Sequence, residues 1–225
     1  MKEHFRQAFI TLQIMIGDMA ALAEHAVLLA ISAVENHNLD DAQKVIAGDA
    51  AIDDTEIRIE EECLKILALY QPVAGDLRQV ITVLKINNEL ERAADLAVNI
   101  SERVADMARF AEDRVEKFDF SEMVAKACDM LKKALDAMSY HDVATAAVVI
   151  RRDDEVDLIH KNNYELVREM ILKHPAEASY YMDCLTVSRC LERVADIATN
   201  ICEDIIYLEH GRIVRHCHED INNGK

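Results

Sequence analysis

The chain is poor in the residues that punctuate structure. It has 5 glycines, 2 prolines and no tryptophan in 225 residues. A β-rich fold needs a turn roughly every 8–12 residues, so this shortage disfavours sandwiches and barrels. No run of Lys or Arg occurs, and 25 basic against 42 acidic residues leave a formal charge of −17. Such a surface repels phosphate backbones and anionic lipids, which argues against nucleic acid or a membrane as partner. The N-terminus, MKEHFRQAFITLQ, carries charges where a signal peptide needs an unbroken apolar run. No stretch reads as the roughly 18 uncharged apolar residues of a membrane span. The expected location is the cytoplasm. Six cysteines (Cys63, Cys128, Cys184, Cys190, Cys202, Cys217) form no CxxC pair. In that setting they are expected to be reduced thiols packed as small apolar residues. His216-Cys217-His218 could touch a metal, but it lies in a polar tail. There is no Gly-rich phosphate loop, GxSxG elbow or HExxH motif.

What is there is helix. Ala, Leu, Glu, Lys and Met are plentiful, and apolar residues make up 51% of the chain. Helical periodicity predicts six helices: about 3–36, a second from Asp40 or Asp41 to 70, then 76–110, 121–140, 142–173 and 177–210. Asp40 or Asp41, Asp76 and Ser121 are the expected N-caps, Pro72 and Pro175 follow helix ends, and Gly211 is the expected terminator. His25, His37 and His141 fall near helix ends and faces and are expected to be structural.

The pattern runs twice. LERAADLAVN (90–99) and LERVADIATN (191–200) share seven of ten residues, offset by 101. GDAAID (48–53) matches RDDEVD (152–157), offset by 104. The predicted architecture is therefore all-α: two tandem, pseudo-symmetric, antiparallel three-helix bundles, one over 1–112 and one over 113–225.

Acids fall in register in both copies. Leu90, Ala93, Ala97, Ile100 and Val104 step by 3 and 4 as a core seam, as do Leu191, Val194, Ala198, Ile201 and Ile205. Glu91 and Asp95, and Glu192 and Asp196, sit one residue off that seam. Carboxylates at i and i+4 repel by a few tenths of a kcal/mol, so a positive partner is expected. Three are open. Arg92 and Arg193 are neighbours on the same helix. A basic protein surface is the second. The third is a metal, held with Asp49 and Asp53, or Asp153 and Asp157, from an adjacent helix. Hard oxygen donors suit a divalent or trivalent cation, with iron, zinc, manganese and magnesium not distinguishable.

These residues resemble the PhoU family of phosphate-signalling regulators. The resemblance spans the chain and rests on QPVAGDLR (71–78), the paired LERAAD and LERVAD blocks, DAAID and DDEVD, and NICEDIIYLEHG (200–211). It implies two three-helix bundles, a homodimer and no enzymatic activity. It implies a cytoplasmic adaptor between the ATPase subunit of a phosphate ABC transporter and a sensor histidine kinase, repressing the starvation response when phosphate is ample. It also implies metal clusters on E/DxxxD motifs, here Glu91, Asp95, Glu192 and Asp196, faced by Asp49, Asp53, Asp153 and Asp157. Asp76 and Arg78 match the family's DLR and are expected to order the first site. HPAEASYYMD (174–183) replaces that block in the second half, so the halves are expected to differ.

Two competing classes have their own signals. A ferritin-like carboxylate-bridged metalloenzyme places acid-x-x-His on two helices. Here Asp157 precedes His160 and nothing matches it in the other half. A plain scaffold would carry these acids for solubility alone.

Overall fold

The two predicted seams are the centre of the molecule: all ten residues are buried. In the computed structural model, which describes residues 2–110 and 116–213, they lie on two long helices that hold the halves together. The chain forms α1 (Lys2–Asn36), α2 (Leu39–Tyr70), α3 (Ala74–Met107), α4 (Ser121–Tyr140), α5 (Val143–Ile150), α6 (Asp153–Lys173) and α7 (Ala178–His210). A 3-10 turn, Pro175–Glu177, precedes α7. Among the described residues there is no strand. Helices α1, α2 and α3 pack on one another; α4, α5 and α6 pack on α7; and α3 packs most extensively on α7. One apolar cluster runs through both bundles.

The expected fifth helix is broken. It stops at Ile150, turns through Arg151 and Arg152, and restarts at Asp153. Asp153, Asp154 and Glu155 fill the first turn of α6, where negative charge is favoured by the helix dipole. Arg152 pairs with Asp129 of α4. The equivalent residues of the first half are Ala47 and Gly48, and α2 runs through them unbroken.

Three expected caps are corrected. Asn38, not Asp40 or Asp41, caps α2, its Oδ1 accepting from their backbone N–H groups at 3.0 and 3.2 Å. Helix α3 starts at Ala74 with no side-chain cap, and Asp76 lies in its first turn. Ser121 opens α4 with its N–H donating 2.9 Å to Asp119 Oδ1. Asp142, placed in sequence as the first residue of the fifth helix, is instead the cap of α5. Its side chain accepts from Ala144 and Thr145. Gly211 ends α7 at φ +68, as expected. His37 and His141 also adopt left-handed backbone at helix ends, and His141 Nδ1 lies 2.8 Å from Glu209 Oε1.

In place of QPVAGDLR, the second half has an aromatic clasp. Tyr181 accepts a hydrogen bond from the Glu116 N–H at 3.2 Å. Tyr180 meets Phe110 edge-on at 5.8 Å and Tyr181 at 5.3 Å. This ties the connection between the halves to the start of α7.

Cys63, Cys184, Cys190 and Cys202 are buried free thiols and Cys128 is half-buried. Burial pushes Cys63 and Cys184 up to about 12. They pack as expected. His216-Cys217-His218 lies outside the described residues. Helix α1 is more apolar than the sequence reading allowed: by length and composition it could cross a membrane, with an 18-residue window of mean hydropathy 1.7. Its inner face, including Leu12, Met19, Ala23, Val27 and Ala30, is core.

Replacing Asp142 by Ala removes the α5 cap and is expected to lower unfolding free energy by about 1 kcal/mol. Ser121→Ala, which removes no cap, should cost clearly less. Urea denaturation of the two variants measures the difference.

Candidate functional site

Glu91 and Asp95 lie beside the buried seam of α3, the helix that packs on α7. Lys85 Nζ donates to Asp204 Oδ1 at 2.7 Å and Asn200 Nδ2 to Glu89 Oε2 at 3.3 Å. Arg78 Nη1 would lie 3.5 Å from a Cβ on Gly211. These three pairs share one antiparallel register. The same register sets Ala94 level with Ala195, equivalent residues of the two repeats, both buried. The pseudo-two-fold axis passes between them.

The first cluster lies on α2 and α3. Glu91 is half-buried, Asp49 is half-buried, and Asp53 and Asp95 are exposed. Burial pushes Glu91 up to about 7, helped by the negative charges of Asp95, Glu56, Asp53 and Asp49. Asp49 is raised by burial, then by Asp53 and Asp95. Every charge named at these two groups is negative. Arg92 offers no relief, because both Glu89 oxygens accept from its Nη1 at 2.9 Å. In this half the same-helix arginine is engaged by a different carboxylate.

The second cluster is tempered from within. Asp153 and Asp196 are half-buried, Glu192 is half-buried and Asp157 is exposed. Burial pushes Asp153 up to about 6, followed by Asp196 and Asp157. Thr199 Oγ1 donates to Asp153 Oδ1 at 3.2 Å. Burial and Asp157 raise Asp196, against Arg193 and Arg92. Burial, Asp196 and Asp157 raise Glu192, against Arg189 and Arg193. Here the arginine reading holds in part.

Both predicted sets are thus drawn to one face per half, close enough to act on one another. The donors, carboxylate oxygens, fit a hard cation in kind. A formed coordination shell is another matter: among the described residues no three His, Cys, Asp or Glu side chains converge as a metal site. Asp76 and Arg78 do not serve the first cluster. Arg78 lies 13 residues before Glu91 on α3, roughly 20 Å away along the helix, and stacks beside Gly211 at the end of α7.

Sequence reasoning missed Glu56, Arg189 and Thr199. The two offsets could have found them. Glu56 aligns with His160 and Asn87 with Ser188. Asn87 Nδ2 donates to the Glu56 carbonyl at 3.0 Å, and His160 Nδ1 lies 2.9 Å from Ser188 Oγ. The same pair of positions thus meets in each half, with an acid on one side and an imidazole on the other. Thr199 is one of the three differences between the two LER blocks, standing where the first has Val98.

The family described as PhoU domain matches the chain twice, over residues 16–104 and 120–205. The chain is 31% identical over 225 residues to the phosphate-specific transport system accessory protein PhoU homolog 1 of Thermotoga maritima, covering 98% of this chain and 95% of the relative. It is 36% identical over 206 residues to the PhoU homolog of Aquifex aeolicus, covering 89% and 90%. The crystal structure of PhoU from Pseudomonas aeruginosa superposes with a TM-score of 0.89 at 30% identity, covering 92% of this chain and 100% of that one. PhoU from Streptococcus pneumoniae, described as a phosphate transport system regulatory protein, gives 0.81 at 27%, covering 93% and 99%.

The raised Glu91 carboxyl makes stability depend on pH. The folded state holds its proton up to about 7, whereas the free carboxyl loses it near 4.5. This contribution is fully present below 4.5 and is lost as pH rises through about 7. Glu91→Gln removes it. In chelator-treated protein, the melting temperature of Glu91→Gln relative to wild type should rise steadily between pH 5 and 8, as thermal scans across that range would show.

Proposed function

We propose that this chain, which belongs to the PhoU family, is a regulatory adaptor of phosphate uptake and not an enzyme. It acts in the cytoplasm. It links the ATPase subunit of a phosphate ABC transporter to a sensor histidine kinase and holds the phosphate-starvation response off when phosphate is ample. The observation that carries the reading is the doubled PhoU domain over nearly the whole chain, shared with relatives named as accessory proteins of phosphate-specific transport. The formal charge of −17 supports docking on basic protein surfaces. No observation favours the ferritin-like enzyme: His160 is bonded to Ser188, and its counterpart is Glu56.

The acid clusters supply the regulatory chemistry. Glu91, Asp95, Asp49, Asp53 and Glu56 form the stronger cation site, because the charges that raise Glu91, Asp49 and Glu56 are other carboxylates. Glu192, Asp196, Asp153 and Asp157 form the weaker one, being already offset by Arg92, Arg189, Arg193 and Thr199. A divalent or trivalent ion such as iron, zinc, manganese or magnesium, held by these carboxylates of α2 and α3, would supply the positive charge that keeps them ionised. The balance between transporter-bound and kinase-bound forms then shifts by whatever difference in affinity that charge makes.

Two measurements check this. Deleting the gene should switch a phosphate-starvation reporter on in high-phosphate medium, and the plasmid-borne chain should switch it off again. A reporter that stays off on deletion contradicts the adaptor role. Elemental analysis after loading should show more metal lost from Glu91→Ala/Asp95→Ala than from Glu192→Ala/Asp196→Ala. Wild-type protein that takes up no metal under any loading condition contradicts the cation role while leaving the adaptor role standing.

A further inference from the structure

The outward side of α2 has the spacing of a helix-pairing seam. Leu39, Ile46, Ala50, Ile57, Leu64 and Ala68 follow one another at steps of 7 and 4. At 3.6 residues per turn they keep within roughly 20° of one line, about 44 Å long. Leu39 is 49% exposed, Ile57 51% and Leu64 54%. Ala50 and Ala68 are exposed and Ile46 is half-buried. The residues that α2 gives to the core, among them Ile52, Ile59 and Ile66, lie on the other side. A heptad-spaced apolar line on a surface helix is the pattern by which one helix receives another.

Acids flank the line. Asp53, Asp54, Glu60 and Glu61 are exposed and lie within roughly 60° of it. The cations of α2 are engaged elsewhere. Lys44 Nζ is 2.6 Å from Asp41 and Lys65 Nζ 2.8 Å from Glu62. Arg58 donates to the Asp54 carbonyl and to the Thr55 hydroxyl, both at 3.0 Å. The second repeat does not carry the same face. At the offset of 104, Lys161 and Arg168 stand for Ile57 and Leu64, and Leu158 and Tyr164 for Asp54 and Glu60. The acid-flanked apolar line thus belongs to α2 and not to the repeat.

We propose that this face of α2 docks an amphipathic helix of a partner protein, one with an apolar seam at steps of 3 and 4 and Lys or Arg on either side of it. Charge complementarity selects that occupant. The four acids border the seam where the flanking residues of a paired helix lie, so basic flanks are attracted and acidic ones repelled. The same acids repel an anionic lipid surface and nucleic acid. A second copy offers Lys161 and Arg168 on α6, but Glu165 and Glu169 stand beside them. Contact of α2 with α6 is also head-to-tail and does not close, so it builds filaments. This surface deepens the adaptor reading, and rests on it only for which protein brings the helix.

Fluorescence anisotropy of a labelled synthetic helix with the full chain tests this. The probe has about four heptads, with Leu at a and d and Lys at e and g. It should bind, and more weakly at about 300 mM salt than at about 50 mM. Ile57→Asp and Leu64→Asp, both at exposed positions, should each weaken binding at least about tenfold with the melting temperature unchanged. Leu158→Asp on α6 should leave binding as it is. A scrambled peptide of the same composition that binds equally well overturns the proposal, because net charge alone then suffices. Binding that both α2 variants leave intact overturns it too. Filaments that Ile57→Asp disperses overturn it in favour of a second copy. In cells, the plasmid-borne Ile57→Asp/Leu64→Asp chain should fail to silence the starvation reporter that the wild-type chain silences. A double variant that silences it fully overturns the surface. A wild-type chain that cannot silence it contradicts the adaptor reading instead, and the peptide titration then decides the surface by itself.

Discussion

The antiparallel packing of α3 on α7 is the contact on which the rest of this structure depends. Both helices carry their seam on the side facing inward, and all ten seam residues are buried. Each buried Leu or Ile contributes about 1.5–3 kcal/mol relative to exposure. That burial fixes helix rotation, and rotation decides where the next residue points. Glu91 and Glu192 follow directly after Leu90 and Leu191, so they are carried to the margin of the core, half out of water. Burial is the largest cause of the raised carboxyls at both positions. The charge strain at the acid stripes is thus a consequence of the packing that joins the two repeats.

The duplication does not make the halves equal. Substitutions at equivalent positions have turned one cluster inward and left the other open. Thr199 for Val98 gives Asp153 a hydroxyl donor, and Arg189 for Asn88 brings a cation near Glu192. His160 for Glu56 removes a fifth acid. Arg92 of the first repeat reaches across the axis to lower Asp196 while its own half keeps it on Glu89. A chain with two identical sites would respond once, with doubled amplitude. Under the proposed cation role, one open and one compensated cluster would distinguish two cation levels.

Much of this was legible in the sequence because it rests on period and repetition. The 3-and-4 step of the seams placed the acids one residue off the core, and the offsets of 101 and 104 paired the halves before any coordinates. The proline and glycine signals at Pro72, Pro175 and Gly211 located helix ends because they act through local backbone chemistry. What failed depended on contacts between distant segments. The break at Arg151–Arg152 needs Asp129 of α4. Arg78, expected to order the first acid site, lies beside Gly211 at the end of α7 instead, since the side chain at a motif does not announce which neighbouring helix it meets. The Arg92 alternative for Asp95 counted only same-helix spacing, and Arg92 pairs with Glu89. Asn38 was passed over as a cap because two aspartates beside it looked equally suitable.

The central claim is that the first cluster holds uncompensated negative charge at a half-buried carboxyl, ready for a cation. Carbon-detected NMR titration of the Glu91 side-chain carboxyl, in protein stripped of metal, measures this directly. The account predicts a midpoint near 7 that drops sharply when zinc or magnesium is added. A midpoint near the ordinary 4.5, unmoved by either ion, would contradict it.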